Sequence, residues 1–354
     1  MALNTDYRTA NDLSGVARAA ADELDSKMVL AEWLPTKENP TLSYEFDASD
    51  TPMVDVASYR AFDTESPYGK LGPTITKSGK LPPISRKLPV SEYTELQFTD
   101  NMAALGDHLD DYAAKLGASI AARLELARVE AVSTGALSLA ENGITASIDF
   151  GRDPALTVPL LVQASRWDQP TATPVDNTIG WRELVKEKSK GSLPTVMILS
   201  NAVMMALMGN QQVIEYALGR SDNLPSRVSA DQVRTVFAGY AGISRMVVAD
   251  EAYAAYNFGK QVWPNSQVVL LPPAGVVIGG DGSLGTTDYG VPAEALQPSY
   301  GIAQGERAGI FSGAFDHHDP EGLDVLVSAI ALPLLQKANA TLGVKVTAGQ
   351  AYII

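Results

Sequence analysis

The clearest periodicity in the chain runs from about Thr99 to Thr134. No proline interrupts it, and apolar residues recur at Leu105, Leu109, Tyr112, Leu116, Ile120 and Leu124. Steps of three and four place these residues on one face of a helix. Thr99 or Asp100 suits the N-cap, and Gly135 suits the stop. At 1.5 Å per residue the helix spans on the order of 50 Å. The charges that should flank a coiled-coil seam are not sustained over enough heptads, so the pattern predicts a single long helix lying along a sheet.

Upstream, residues 1–40 contain a short amphipathic stretch around Leu13 to Leu34, followed by Pro35 and Pro40. This reads as an arm with little stability of its own. Residues 41–91 hold short alternating runs such as TLSYEF and PMVDVASY, broken by Pro52, Pro67, Gly69, Gly72, Pro73, Gly79, Pro82, Pro83 and Pro89. Breakers at that spacing predict a long extended β-excursion with little room for a core. A segment of that kind is stabilised by something outside itself.

Downstream, Asn142-Gly143 lies between two alternating runs in LSLAENGITASIDF, the strongest short-range signal for a hairpin. A helix follows from Thr178 to about Lys190, then a buried strand from Thr195 to Ser200. Asn201 is placed as the cap of one helix running through NAVMMALMGNQQVIEYALG and ending at Gly219. A helix around Ala230 to Ala241 and the strands RMVVAD and SQVVLLPP complete an α+β unit over residues 166–304. The tail supplies GIFSGAFDHHD, LDVLVSAIALPLL and TLGVKVT, which are expected to return to the first sheet and complete it.

Composition narrows the chemistry. With 45% hydrophobic and 19% charged residues the chain is that of a folded protein. It has no cysteine, which excludes disulfides, thiol catalysis and cysteine-based metal sites. The opening MALNTDYRTA has neither a basic region nor an apolar run, so no signal peptide is expected, and no stretch approaches the roughly 18 apolar residues of a membrane span. The net charge of −14 argues against a phosphate-gripping surface. That charge is uneven: residues 1–65 carry thirteen acids against five bases, whereas Ser66 to Ser91 carry Lys70, Lys77, Lys80, Arg86 and Lys87 and no acid. These five cations are either the face of a solvated loop or the candidate intersubunit contacts, pairing with an acidic neighbour and favouring one docking register.

The motifs of catalysis are weak. Gly280 to Gly285 fits G-x-G-x-x-G, but the continuation TTDYGVP is turn chemistry and cannot open the helix that a dinucleotide site requires. Asp316-His317-His318-Asp319 reads as a polar turn before Pro320 rather than a metal cluster, since adjacent histidines on a strand point to opposite faces and His108 is the one other histidine. No G-x-S-x-G or P-loop is present. Met197, Met204, Met205 and Met208 read as core packing. No catalytic residue, cofactor or metal is expected.

The order of elements resembles the Hong Kong 97 type capsid fold of tailed phages, an α+β fold. The string RVEAVSTGALSLAENGITASIDFGRDP resembles the lambda major head protein family, as do the RAGIFSGA strand, Asp319-Pro320 and Leu332-Pro333. That resemblance implies an N-terminal arm (1–40), an E-loop (41–91), a P domain with the spine helix and hairpin (92–165), an inserted A domain (166–304) and a return to the P domain (305–354). It implies a structural head protein that assembles with itself as pentamers and hexamers into an icosahedral shell in the host cytoplasm and resides in the virion. Scaffold, portal and decoration proteins would be its partners, and double-stranded DNA would be enclosed without sequence-specific binding. The rival readings are an encapsulin-like nanocompartment shell and a small-molecule-binding α/β enzyme.

Overall fold

In the computed structural model the described residues are 3–48, 59–66, 75–98, 102–220, 224–253, 262–275, 283–318 and 321–348. The long helix, α3 (Met102–Thr134), is continuous over 33 residues, and Leu105, Leu109, Leu116, Ile120 and Leu124 are buried while Tyr112 is half-buried. Its expected caps Thr99 and Asp100 lie outside the described residues. Gly135 ends it at φ +74°, with its amide on the Ala131 carbonyl at 2.9 Å. Two side chains take up the last orphan carbonyls: Arg152 donates to Val132 O at 2.9 Å and Gln267 to Ser133 O at 3.1 Å. Burial lowers the Arg152 pKa to about 10.

The first correction concerns the N-terminus. After β1 (Leu3–Asn4), α1 (Ala10–Asp25) lies in the core, capped by Thr9, whose hydroxyl accepts the Asp12 amide at 3.2 Å. Ala17 and Ala21 share a core cluster with Ala113 and Ala121. A Cβ at Gly117 would stand 2.1 Å from the Ala17 carbonyl oxygen, so the two helices meet nearly backbone to backbone. The sequence understates this packing because its apolar residues are mostly alanines, which carry little hydropathy but permit close approach. Leu30, Trp33 and Leu34 are also buried, in a second cluster below the spine.

Six strands form the first sheet. β1, β13 (Ile310–His318), β14 (Glu321–Leu335), β12 (Gly285–Tyr289) and β2 (Thr36–Glu38) follow one another, and β5 (Pro83–Val90) also pairs with β14, from Leu323 to Ile330. β5 and β12 thus take successive stretches of one long strand. α1 and α3 cover the face carrying Val325, Val327 and Ala329.

The expected excursion is therefore shorter than 41–91. Its described part is a two-stranded ribbon, β3 (Ser43–Asp47) with β4 (Thr76–Lys80), while β5 belongs to the sheet. PMVDVASY lies outside the described residues apart from Tyr59. The short α2 (Glu92–Phe98) leads to α3. The hairpin is as expected: β6 (Ala136–Glu141) and β7 (Ile144–Asp149) meet at Asn142 and Gly143, both at positive φ.

The second sheet is ordered β10 (Arg245–Val248), β9 (Val196–Leu199), β11 (Gln267–Leu271), β15 (Leu342–Lys345) and β8 (Thr157–Val158). Alternate residues face opposite cores. Val196, Ile198, Val269 and Leu271 point to the cluster below the spine; Met197, Leu199, Val268 and Leu270 point to the helices α4 (Pro174–Lys188), α5 (Asn201–Met208), α6 (Gln211–Leu218) and α7 (Ala230–Gly239). Two strands sit in the other sheet from the one expected. β12, inside 166–304, pairs with β14 of the first sheet, and β15, from the tail, completes the second. Periodicity shows that a strand is buried but not which strand lies beside it.

The helix expected to be continuous from Asn201 is also two helices. Ser200, not Asn201, caps α5, and Asn210 caps α6 after the break at Gly209. Met205 is exposed, unlike Met197 and Met204. The stretch expected as a polar turn remains strand through His318.

A buried polar network ties these layers together. Arg128 and Glu125 are both 0% exposed on the spine. Arg128 pairs with Asp25 at the end of α1 and with Glu125 at 3.3 Å, and donates to Thr287 Oγ1 on β12 at 2.9 Å. Glu125 also accepts the Leu30 amide at 3.0 Å and the hydroxyl of Tyr253, which ends the short α8 (Ala249–Tyr253). Burial pushes the Glu125 carboxyl up from its ordinary value, while its partners pull the other way.

Candidate subunit-contact surface

The ribbon offers two different surfaces. At its root, strand alternation buries Tyr44 and Phe46 and leaves Ser43, Glu45 and Asp47 out. Phe46 stacks on Tyr44 and meets Phe150 with ring centres 6.4 Å apart. Gly79 lies opposite Tyr44, where a Cβ would stand 2.4 Å from the phenol oxygen, so this cross-strand position must be glycine for the ring to lie flat. Lys77 Nζ donates to the Asp149 carbonyl at 2.9 Å and to its carboxylate at 3.1 Å. The Gly151 amide and Lys77 together hold the Asp149 carboxyl below its usual range. The root is thus fixed to its own chain.

Between these strands in sequence, Tyr59 and Phe62 are about fully exposed, at 106% and 98%. They lie on a self-braced turn: Arg60 donates to the Thr64 carbonyl at 2.6 Å, the Thr64 hydroxyl donates to Ala61 O at 2.8 Å, and Asp63 takes φ +62°. Two bare aromatics on an ordered turn are a contact surface awaiting cover.

The four candidate cations among the described residues differ in their surroundings. Lys70 lies outside the described residues. Lys77 is held by Asp149, and Lys87 by the buried Asp324 at 2.7 Å. Lys80 on β4 and Arg86 on β5 are exposed, with no ion-pair partner among the described residues. β5 carries Pro83, Pro89, Arg86 and Lys87 along its length, which blunts unwanted strand pairing at its free edge. Tyr59 and Phe62 escaped the sequence reading, although Tyr-Arg-Ala-Phe-Asp inside a coreless stretch carried the signal. Arg128, four residues after Leu124 at the end of the helix face read as buried, was a second signal.

The remaining motifs are placed as follows. Gly280 to Gly282 lie outside the described residues, and Gly285 opens strand β12, not a helix. Asp316 accepts from the Asn4 amide at 2.9 Å. Among the described residues no three His, Cys, Asp or Glu side chains gather as a metal site, and no helix is long and apolar enough to cross a membrane.

Comparison with known proteins places this architecture. A family model described as phage major capsid protein E matches residues 37–346. No curated protein matches the chain by sequence. The structure of a prophage capsid protein from E. coli CFT073 is similar over 96% of this chain and 99% of its own, with a TM-score of 0.59 and 16% identity. A phage-related protein from Bordetella bronchiseptica RB50 is similar over 95% of this chain and 97% of its own, with a TM-score of 0.53 and 13% identity. At those identities the likeness is one of fold.

Proposed function

Since the chain belongs to the phage major capsid protein E family, we propose that it assembles as pentamers and hexamers into an icosahedral shell around double-stranded DNA, with its ribbon overlapping an adjacent subunit. The chain is a structural major capsid protein with the Hong Kong 97 type fold, not an enzyme; it associates with itself, and its place is the virion. The single observation that carries the overlap is the turn bearing Tyr59 and Phe62, which its own chain leaves bare and which lies in sequence between the two strands of an anchored root.

In this reading the spine and six-stranded sheet serve as the P domain, the five-stranded sheet with its helices as the A domain, and the ribbon as the E-loop. The string likeness to the lambda head protein supports a place near that branch. Assembly takes place in the host cytoplasm, with scaffold and portal proteins, and decoration proteins where the shell carries them. The net charge of −14 suits a container that encloses DNA without gripping it by sequence. A nanocompartment shell would share the fold; the phage family match favours a genome container.

Among the described residues Lys80 and Arg86 are the candidate cations left for a neighbour. Each exposed pair is worth only about 0–1 kcal/mol, but in a shell the contact recurs at every subunit. Lys80→Glu with Arg86→Glu is expected to leave the unassembled chain folded, with an unchanged circular dichroism spectrum, and to lower shell yield in a salt-dependent way. Wild-type yield at low and high salt would show that these cations are merely solvated.

A further inference from the structure

A groove lies between the β6–β7 hairpin, the middle of α3 and the junction of β5 with β14. It encloses about 320 Å³. Its walls are apolar: Ile84, Leu124, Leu137, Leu139, Ile144 and Leu332 are among them. Arg123 and Glu141 stand at its rim and touch only through two long contacts of 3.4 Å, with Glu141 more than half exposed. Such contacts are near the limit of a hydrogen bond and are readily exchanged for better ones. The interior offers an apolar ligand no charge to satisfy, and a cavity of about 150 Å³ already accepts a benzene ring.

The same chain carries an apolar group that lacks a site. Phe62 is 98% exposed on the braced turn, with Arg60 two positions before it and Asp63 immediately after. Arg60 uses one terminal nitrogen on the backbone of its own turn, which leaves the rest of the guanidinium to donate elsewhere. The charges match those of the groove: a cation and an anion flank the aromatic ring, and an anion and a cation stand at the groove mouth.

We infer that the groove receives the aromatic turn of a second copy of this chain, with Phe62 entering between the hairpin and the spine, Arg60 meeting Glu141 and Asp63 meeting Arg123. This rests on the reading of the chain as a shell subunit and names the surface on which the ribbon docks. Seating the ring buries an aromatic that is otherwise bare to water, and the apolar walls lose water at the same time. The two ion pairs select which way round the turn enters, a matter of register more than of affinity.

The absence of cysteine makes the test clean. In the full-length protein Phe62→Cys and Leu139→Cys are combined, assembled particles are oxidised or bridged with a short bis-thiol reagent, and the chains are run on a denaturing gel without reductant. The expected result is a shift from the single-chain band to a ladder of linked multimers, absent from either single variant. Assembled particles whose double variant stays at the single-chain band would overturn the inference. A second arm uses charge exchange. Glu141→Arg alone is expected to lower the yield of particles, and adding Arg60→Glu is expected to restore it; a paired variant no better than Glu141→Arg would also overturn the inference. A wild type that never associates would instead overturn the shell reading on which the inference stands.

Discussion

Replacing Arg128 with methionine is expected to destabilise the unassembled chain by about 3–5 kcal/mol in urea unfolding. The side chain is fully buried, and its removal leaves Glu125 without its cation and Asp25 and Thr287 without their shared donor. A methionine fills most of the space, so the loss comes from the stranded charges rather than from a cavity. The last turn of α1 should become more open to protease, because Asp25 ties that end of the helix to the spine.

The deficit should also depend on pH, with a sign fixed by Glu125. Its folded pKa lies above the ordinary 4.5, so its contribution is fully present below that value and is lost as pH rises through the raised one. Without Arg128 the carboxyl is still harder to ionise, and the gap between variant and wild type should narrow as pH falls and Glu125 takes up a proton. A variant within about 1 kcal/mol of wild type, with a gap independent of pH, would show that the network contributes little to stability.

Gly117→Ala is expected to cost about 1–3 kcal/mol, although alanine favours a helix over glycine by roughly 1 kcal/mol. The new methyl would meet the Ala17 carbonyl, part of a backbone that cannot rotate away, and α1 must shift to admit it. Gly180→Ala in α4 is the control. Nothing lies within 4 Å of that position, so the same exchange should stabilise by about 0.5–1 kcal/mol. Thermal unfolding of both variants decides the matter. Equal effects of either sign would mean that helix propensity alone is being read and that the two helices are not in close contact.

These residues also mark how far the sequence could be read. The spine was legible because large aliphatic residues recur at helical spacing, and the hairpin because Asn142-Gly143 suits a turn with two positive φ values. α1 was underrated because its contact with the spine is made by alanines and a glycine, whose value lies in what they omit. The break between α5 and α6 was hidden because Gly209 and Asn210 sit within an unbroken apolar rhythm, and a cap is decided by the local turn. The exchange of β12 and β15 between sheets was illegible in principle, since pairing is set by the three-dimensional path of the chain.

The contact surface was half legible. A cation-rich stretch without acids was visible, but Lys77 and Lys87 find Asp149 and Asp324, which lie 72 and 237 residues away along the chain. Charge composition cannot distinguish an own-chain partner at that separation from one on a neighbour. The aromatics of the turn were visible in the letters and were overlooked, because exposure is a property of the fold.

Electron microscopy of the purified full-length protein, alone and after co-expression with a phage scaffold protein, decides whether this chain builds a shell. Closed shells of pentamers and hexamers are expected. A monodisperse monomer or dimer that persists at high concentration under both conditions would contradict the capsid reading.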